Sequence, residues 1–173
     1  MKRALILCLL FLTASAFAQE KNPVTSVLKE ILPRQQKNLI AAAEAMPADK
    51  YAFKPTPAQM SFAHLVVHMT KSNLELCAKA GESAPPPRAA DVNEAMPKDK
   101  LVSALKTSFD FCDMALAHAD DSHLGDPIEV FGHQGPRAFA YFALTNDWAD
   151  HYSAAAMYLR LNNILPPTAQ PKK

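Results

Sequence analysis

The chain has 173 residues, with 18 lysines and arginines against 17 aspartates and glutamates and a formal net charge of +1. That balance, with no basic block except Lys172-Lys173 at the end, excludes a binder of nucleic-acid phosphates, which needs a concentrated cationic face. Only four glycines argue against glycine-rich phosphate loops and an all-β design, and the length suits one domain with a core of its own.

The first predicted element is a targeting segment. Lys2 and Arg3 precede an apolar run from Ala4 to Leu12, and Ala16-Phe17-Ala18 follows. A basic start, a short apolar middle and an A-x-A site make a secretory signal. Residues 1–18 are therefore read as a signal peptide cleaved after Ala18, and residues 19–173 as one exported domain, periplasmic or extracellular. The run is too short to span a bilayer, and no cysteine follows the cleavage site, so no stable membrane anchor is expected. Cys8 leaves with the signal. Cys77 and Cys112 remain, either as a disulfide, which an oxidising compartment permits, or as two buried thiols acting as small apolar groups.

Helical periodicity then dominates. Over residues 22–46, Val24, Val27, Leu28, Ile31, Leu39 and Ile40 recur at intervals of three and four, which predicts a first helix; Pro33 falls inside it as a place to bend. Met46-Pro47 ends it, and the connector "PADKYAFKPTP" follows. The second helix starts at Thr56, where Thr56-Pro57-Ala58-Gln59 has capping-box spacing with proline at the first turn, or at the competing cap Ser61, and runs to Gly81. Pro85-Pro86-Pro87 favours an extended connection. A third helix over 98–119 carries Leu101, Leu105, Ser108, Phe109, Cys112 and Leu116 as one stripe. A polar loop with Gly125, Gly132 and Gly135 shows no strand-like alternation and leads to a fourth helix over 136–162. Asn163 then sits where a left-handed C-cap residue belongs, ahead of Pro166-Pro167. Four long amphipathic helices make an all-α four-helix bundle with long crossover loops.

Polar residues on the inner faces carry the functional signal. On the second helix, Phe62, Leu65, Val66, Met69, Asn73 and Leu76 define the buried stripe; His68 falls at its edge and His64 points outward, at about 100° per residue. The His64–His68 spacing is itself a metal spacing, but the wheel aims His68 at the other helices. On the fourth helix, Trp148, Tyr141, Leu144, Tyr152, Ala155 and Leu159 form the apolar stripe. Asp147 and His151 lean to the same side one turn apart, whereas Asp150 faces solvent. A carboxylate and an imidazole are costly inside a bundle unless they are paired or coordinate something. His68, Asp147 and His151 converging from two helices would make a divalent-metal set with open positions. The plainer alternative is a local Asp147–His151 hydrogen bond with His68 half exposed. His118, His123 and His133 read as loop or helix-end residues, Tyr152 and Tyr158 as packed rings with hydroxyls at the rim, and Ser153 lacks a nucleophile motif.

The motif P-x-x-x-Y-x-F-x-P-x-P at 47–57, Ser61-Phe62 followed by His68, and H-Y-x-x-x-x-x-Y-L-R-x-N from His151 to Asn162 before Pro166-Pro167 together resemble the DinB-like, or DinB/YfiT, superfamily of helical bundles, unrelated to the DNA polymerase that shares the name. The likeness spans about Thr25 to Thr168. It implies a divalent metal held by three histidines, one in the second helix and two four apart in the fourth, which map to His68, Asp147 and His151. Asp147 departs from the usual histidine: it lowers the nitrogen count and either shifts metal preference from zinc or nickel toward manganese or iron or marks a metal site that has decayed. A metal on these ligands with an open position would make the protein a metal-dependent hydrolase or transferase of a small-molecule substrate, or else a non-catalytic metal- or ligand-binding bundle; the resemblance further implies homodimers formed through the helices.

Overall fold

The computed structural model describes residues 20–171; the signal-peptide reading of residues 1–18 and the Lys172-Lys173 block fall outside them. Helix α1 spans Pro23–Ala45, α2 Phe62–Ala80, α3 Lys98–Leu116 and α4 Ala138–Leu161. The four-helix expectation is met, with ends shifted by a few residues. Pro33 lies inside α1, which continues through it as one helix. Of the two candidate caps for α2, Ser61 is the one used: its hydroxyl accepts from the His64 amide at 2.9 Å, satisfying one of the free N–H groups of the first turn. Asn163 takes the left-handed conformation, φ 59°.

Helix directions follow from pairs that cross between elements. Asn73 meets Ser108 and Cys77 is bonded to Cys112, each pair offset by the same number of residues, so α2 and α3 run parallel. Gly81, at the end of α2, lies so close to the Ala115 carbonyl of α3 that a Cβ there would collide with it. Lys29 donates to the Ala117 carbonyl and Lys98 to the Glu44 carbonyl, which sets α1 antiparallel to α3. Tyr158 reaches Met60, Trp148 reaches Asn73 and Tyr141 reaches Ala80, so α4 is antiparallel to α2. Two successive parallel helices require a connection that travels the length of the bundle, and residues 81–97 supply it.

The core lies along the shared axis. Phe62 of α2, Phe109 of α3, Trp148 of α4 and Leu32 and Leu39 of α1 are fully buried, each contributing about 1.5–3 kcal/mol by leaving water. The disulfide Cys77–Cys112 sits within it, both residues fully buried, which settles the choice the sequence left open.

The polar loop before α4 departs from expectation. It contains a hairpin, β1 Pro127–Val130 paired antiparallel with β2 His133–Pro136. Phe131 and Gly132 form its two-residue turn, both with positive φ, 49° and 75°, the geometry that matches strand twist. Four-residue strands with one buried apolar anchor, Val130, leave too little alternation for a period-two pattern to show.

Candidate metal centre

The Ser61 cap starts α2, which puts His68 on the face toward α4, and α4 supplies Asp147 and His151 one turn apart. The antiparallel register places these residues opposite one another. The His68 and His151 rings stack with centroids 4.6 Å apart and planes 24° from parallel. Asp147 Oδ1 lies 3.5 Å from His68 Nε2 and 3.4 Å from His151 Nδ1. One donor atom from each of the three residues falls within 4.8 Å of the others. Ligands about 2.0–2.2 Å from a tetrahedral cation sit about 3.4 Å apart, a spacing that His68 Nε2 and Asp147 Oδ1 already match.

Orientation of the individual groups favours a cation. The His151 Nδ1 lies 2.7 Å from the Asp147 carbonyl oxygen. A carbonyl only accepts, so Nδ1 carries the proton and Nε2 keeps its lone pair, the usual way an outer contact fixes a ligating histidine. The local bond expected between Asp147 and His151 is thus made by the backbone, not by the carboxylate. Asp147 Oδ2 is buried with no hydrogen-bond partner. A buried carboxylate oxygen left alone is unfavourable, and a cation would satisfy it. His68, with 42 % of its side chain exposed against 16 % for Asp147 and 11 % for His151, forms the solvent side of the site. Hydrogen bonding to Asp147 raises the His68 pKa above its ordinary value, against the opposing effect of burial.

Ser72 has no special place in the helical pattern, yet its buried hydroxyl lies 3.3 Å from His68 Nε2; its position one turn after His68 is the available signal. The other expectations fall as follows. His64 is exposed and meets Glu94 at 2.7 Å, not the triad. Asp150 is exposed. Tyr152 donates to Thr168 and Tyr158 to the Met60 carbonyl, both at 2.8 Å. His133 packs on Phe139.

His123 belongs to a second cluster, with Asp126 three residues on in the same loop and Glu82 from the loop after α2, that helical periodicity does not reveal because all three lie in connections. Here the charge is already met by protein. The nearly buried Arg137 guanidinium lies 2.8 Å from Glu82 and 3.5 Å from Asp126, and it also donates to the Lys79 and His123 carbonyls. A resident guanidinium repels a metal ion. The cluster is a clasp for the start of α4.

The sequence profile of the DinB superfamily matches residues 31–151, a span that contains all three residues of the α2–α4 site. The fold is similar to that of a DinB-like protein from Bacillus subtilis, with a TM-score of 0.66 and 19% identity over 84% of this chain and 99% of that one. A DinB-like protein from Bacillus cereus gives a TM-score of 0.65 and 11% identity over 82% of this chain and 95% of that one. At such identities the likeness is one of fold. No functionally curated protein matches the chain. The chain belongs to the DinB superfamily.

Proposed function

We propose that this DinB superfamily member holds a divalent cation between α2 and α4 through His68, Asp147 and His151, and that it acts as an exported metal-dependent hydrolase or transferase on a small molecule. The observation that carries the reading is the Asp147 carboxylate, whose Oδ1 lies near both imidazoles while its Oδ2 is buried without a partner, beside a His151 ring already fixed with its Nε2 lone pair free. Two nitrogens and one carboxylate oxygen suit zinc, nickel, manganese or iron. A cation held there would lower the pKa of a bound water or thiol, or polarise a carbonyl. The chain's own part is to hold the three donors, to keep His151 in one tautomer through the Asp147 carbonyl, and to leave the His68 side open to a substrate. Export rests on the basic, apolar and A-x-A features of residues 1–18; no helix among the described residues is long and apolar enough to cross a membrane.

A non-catalytic metal- or ligand-binding bundle is the second reading. Among the described residues, the contact of the triad with a further polar side chain is that of Ser72, which is neither acid nor base near neutral pH. Clefts of about 670 Å³ beside Glu44 and Lys106 and about 360 Å³ between α1 and α4 lie elsewhere. Elemental analysis of protein purified without chelator tests the site: His151→Ala abolishes metal content and His64→Ala leaves it near wild type. Equal loss in both variants, or a wild-type protein without stoichiometric metal, would overturn the assignment. Turnover lost on chelation supports the enzyme; tight metal retention without turnover supports the binding protein.

A further inference from the structure

We propose that Asn73 is a positioning residue for the α2–α4 site: through Trp148 it fixes the helix register that sets Asp147 and His151 opposite His68. The inference rests on the metal-site reading, and its test separates the two.

Asn73 is fully buried, as are Trp148 and Ser108, and both ends of its amide are used. Its Oδ1 accepts from Trp148 Nε1 at 2.7 Å, and its Nδ2 donates to Ser108 Oγ at 3.0 Å. The Ser108 hydroxyl donates in turn to the Leu105 carbonyl at 2.8 Å. Three helices meet on one side chain. Its neighbours in sequence are the site: Asn73 follows Ser72, which touches His68, and Trp148 follows Asp147.

The α2–α3 register is locked covalently one turn away by Cys77–Cys112. Helix α4 has no such bond. Its end ties to α2 run from tyrosine hydroxyls to main-chain carbonyls, Tyr158 to Met60 at 2.8 Å and Tyr141 to Ala80 at 3.3 Å, and from the N-cap Arg137 to the Lys79 carbonyl and the exposed Glu82 carboxylate, whose long side chain can follow a slip. Carbonyls recur at every residue, so a sliding helix can exchange one for the next, whereas the Asn73 amide is a single partner. A slip of one residue displaces α4 by about 1.5 Å and turns its side chains by about 100°. That motion carries Asp147 and His151 away from His68 and strands the Trp148 N–H and the Asn73 amide in the core. Selecting one register is the best-attested use of a buried polar pair.

The test removes both partners at once with Asn73→Leu/Trp148→Phe, since replacing a buried pair by apolar groups of similar shape can be nearly neutral for stability. Two readouts are compared with wild type: nuclear Overhauser signals between the His68 and His151 rings in metal-free protein, and Co²⁺ binding followed by its visible absorption. The double variant is expected to keep its helical circular dichroism, to show no Overhauser signal between the rings and to bind Co²⁺ at least about tenfold more weakly. Unchanged signals and unchanged affinity would reduce Asn73 to an ordinary core residue. If the double variant does not fold, Trp148→Phe alone, which keeps the Asn73–Ser108 bond, is read by the same criteria. A wild type that shows the ring-to-ring signals but takes up no Co²⁺, with a variant that shows no such signals, overturns the metal reading and upholds the positioning role.

Discussion

Replacing Asp147 with alanine has opposite effects on stability with and without a cation. In metal-free protein, Asp147 Oδ2 is buried without a partner, at a cost of about 1–3 kcal/mol. Oδ1 lies 3.4 and 3.5 Å from the two histidine nitrogens, too far for strong hydrogen bonds to offset it. Alanine adds about 0.5 kcal/mol of helix propensity, and lost packing removes about 0.5–1 kcal/mol. The balance for Asp147→Ala is a gain of about 1–2 kcal/mol, a rise of about 2–8 °C in melting temperature for a chain of this size. Asp150, exposed on the same helix, supplies the control, because Asp150→Ala carries the propensity change alone. Thermal melts in chelator at about pH 9 keep the imidazoles neutral. With divalent cation at a hundredfold excess over Kd, wild type gains about 2.7 kcal/mol and Asp147→Ala gains nothing, so the order of melting temperatures reverses. A variant that melts below wild type in chelator, together with a wild type that metal does not shift, refutes the reasoning.

Three further outcomes concern the rest of the fold. Phe131 is 63% exposed and held at φ 49°, so Phe131→Asn should relieve about 1 kcal/mol of backbone strain and raise the melting temperature by about 2–4 °C; a drop would mean that the ring makes contacts worth more than the strain. Glu94 accepts from Ser61 and contacts His64, and these bonds hold its carboxyl below the ordinary value. A depressed folded pKa means that the tie stabilises above the unfolded carboxylate range and is lost as pH falls through the depressed value. Carbon-13 NMR should therefore give Glu94 a midpoint below about 4.3 that moves upward in Ser61→Ala, and an unshifted midpoint contradicts the tie. Cys77 and Cys112 are 35 residues apart and fully buried; the closed loop is worth about 4 kcal/mol, so the native protein should resist mild reductant, and Cys77→Ala/Cys112→Ala should lose about that much in urea denaturation. Labelling of free thiols in the native, folded protein would contradict the bridge.

Helix count, the buried stripes and the inward lean of His68, Asp147 and His151 were legible in the sequence because each depends on spacing along one helix. Leu101, Leu105 and Phe109 announce a face whatever lies across from it, and the periodicity of α4 separates Asp147 from Asp150 without any knowledge of α2. The Ser61 cap was visible only as one of two candidates, since Thr56 carries the same local chemistry.

Other features depend on what meets across space. The parallel α2–α3 pair, and with it the disulfide, follows from the path of residues 81–97, and no local pattern encodes that path. The Arg137 clasp brings Glu82 of the loop after α2 to His123 and Asp126 of the loop before α4, and the Phe131–Gly132 hairpin is defined by backbone pairing with little apolar alternation to signal it. The sequence by itself determined which side chains point inward, because hydrophobic burial acts on a helical repeat of 3.6 residues. Only the tertiary structure decided that two imidazoles stack against one carboxylate with an oxygen left over, because register between distant helices is set by the Asn73–Trp148 bond and core packing, interactions between residues far apart in the chain.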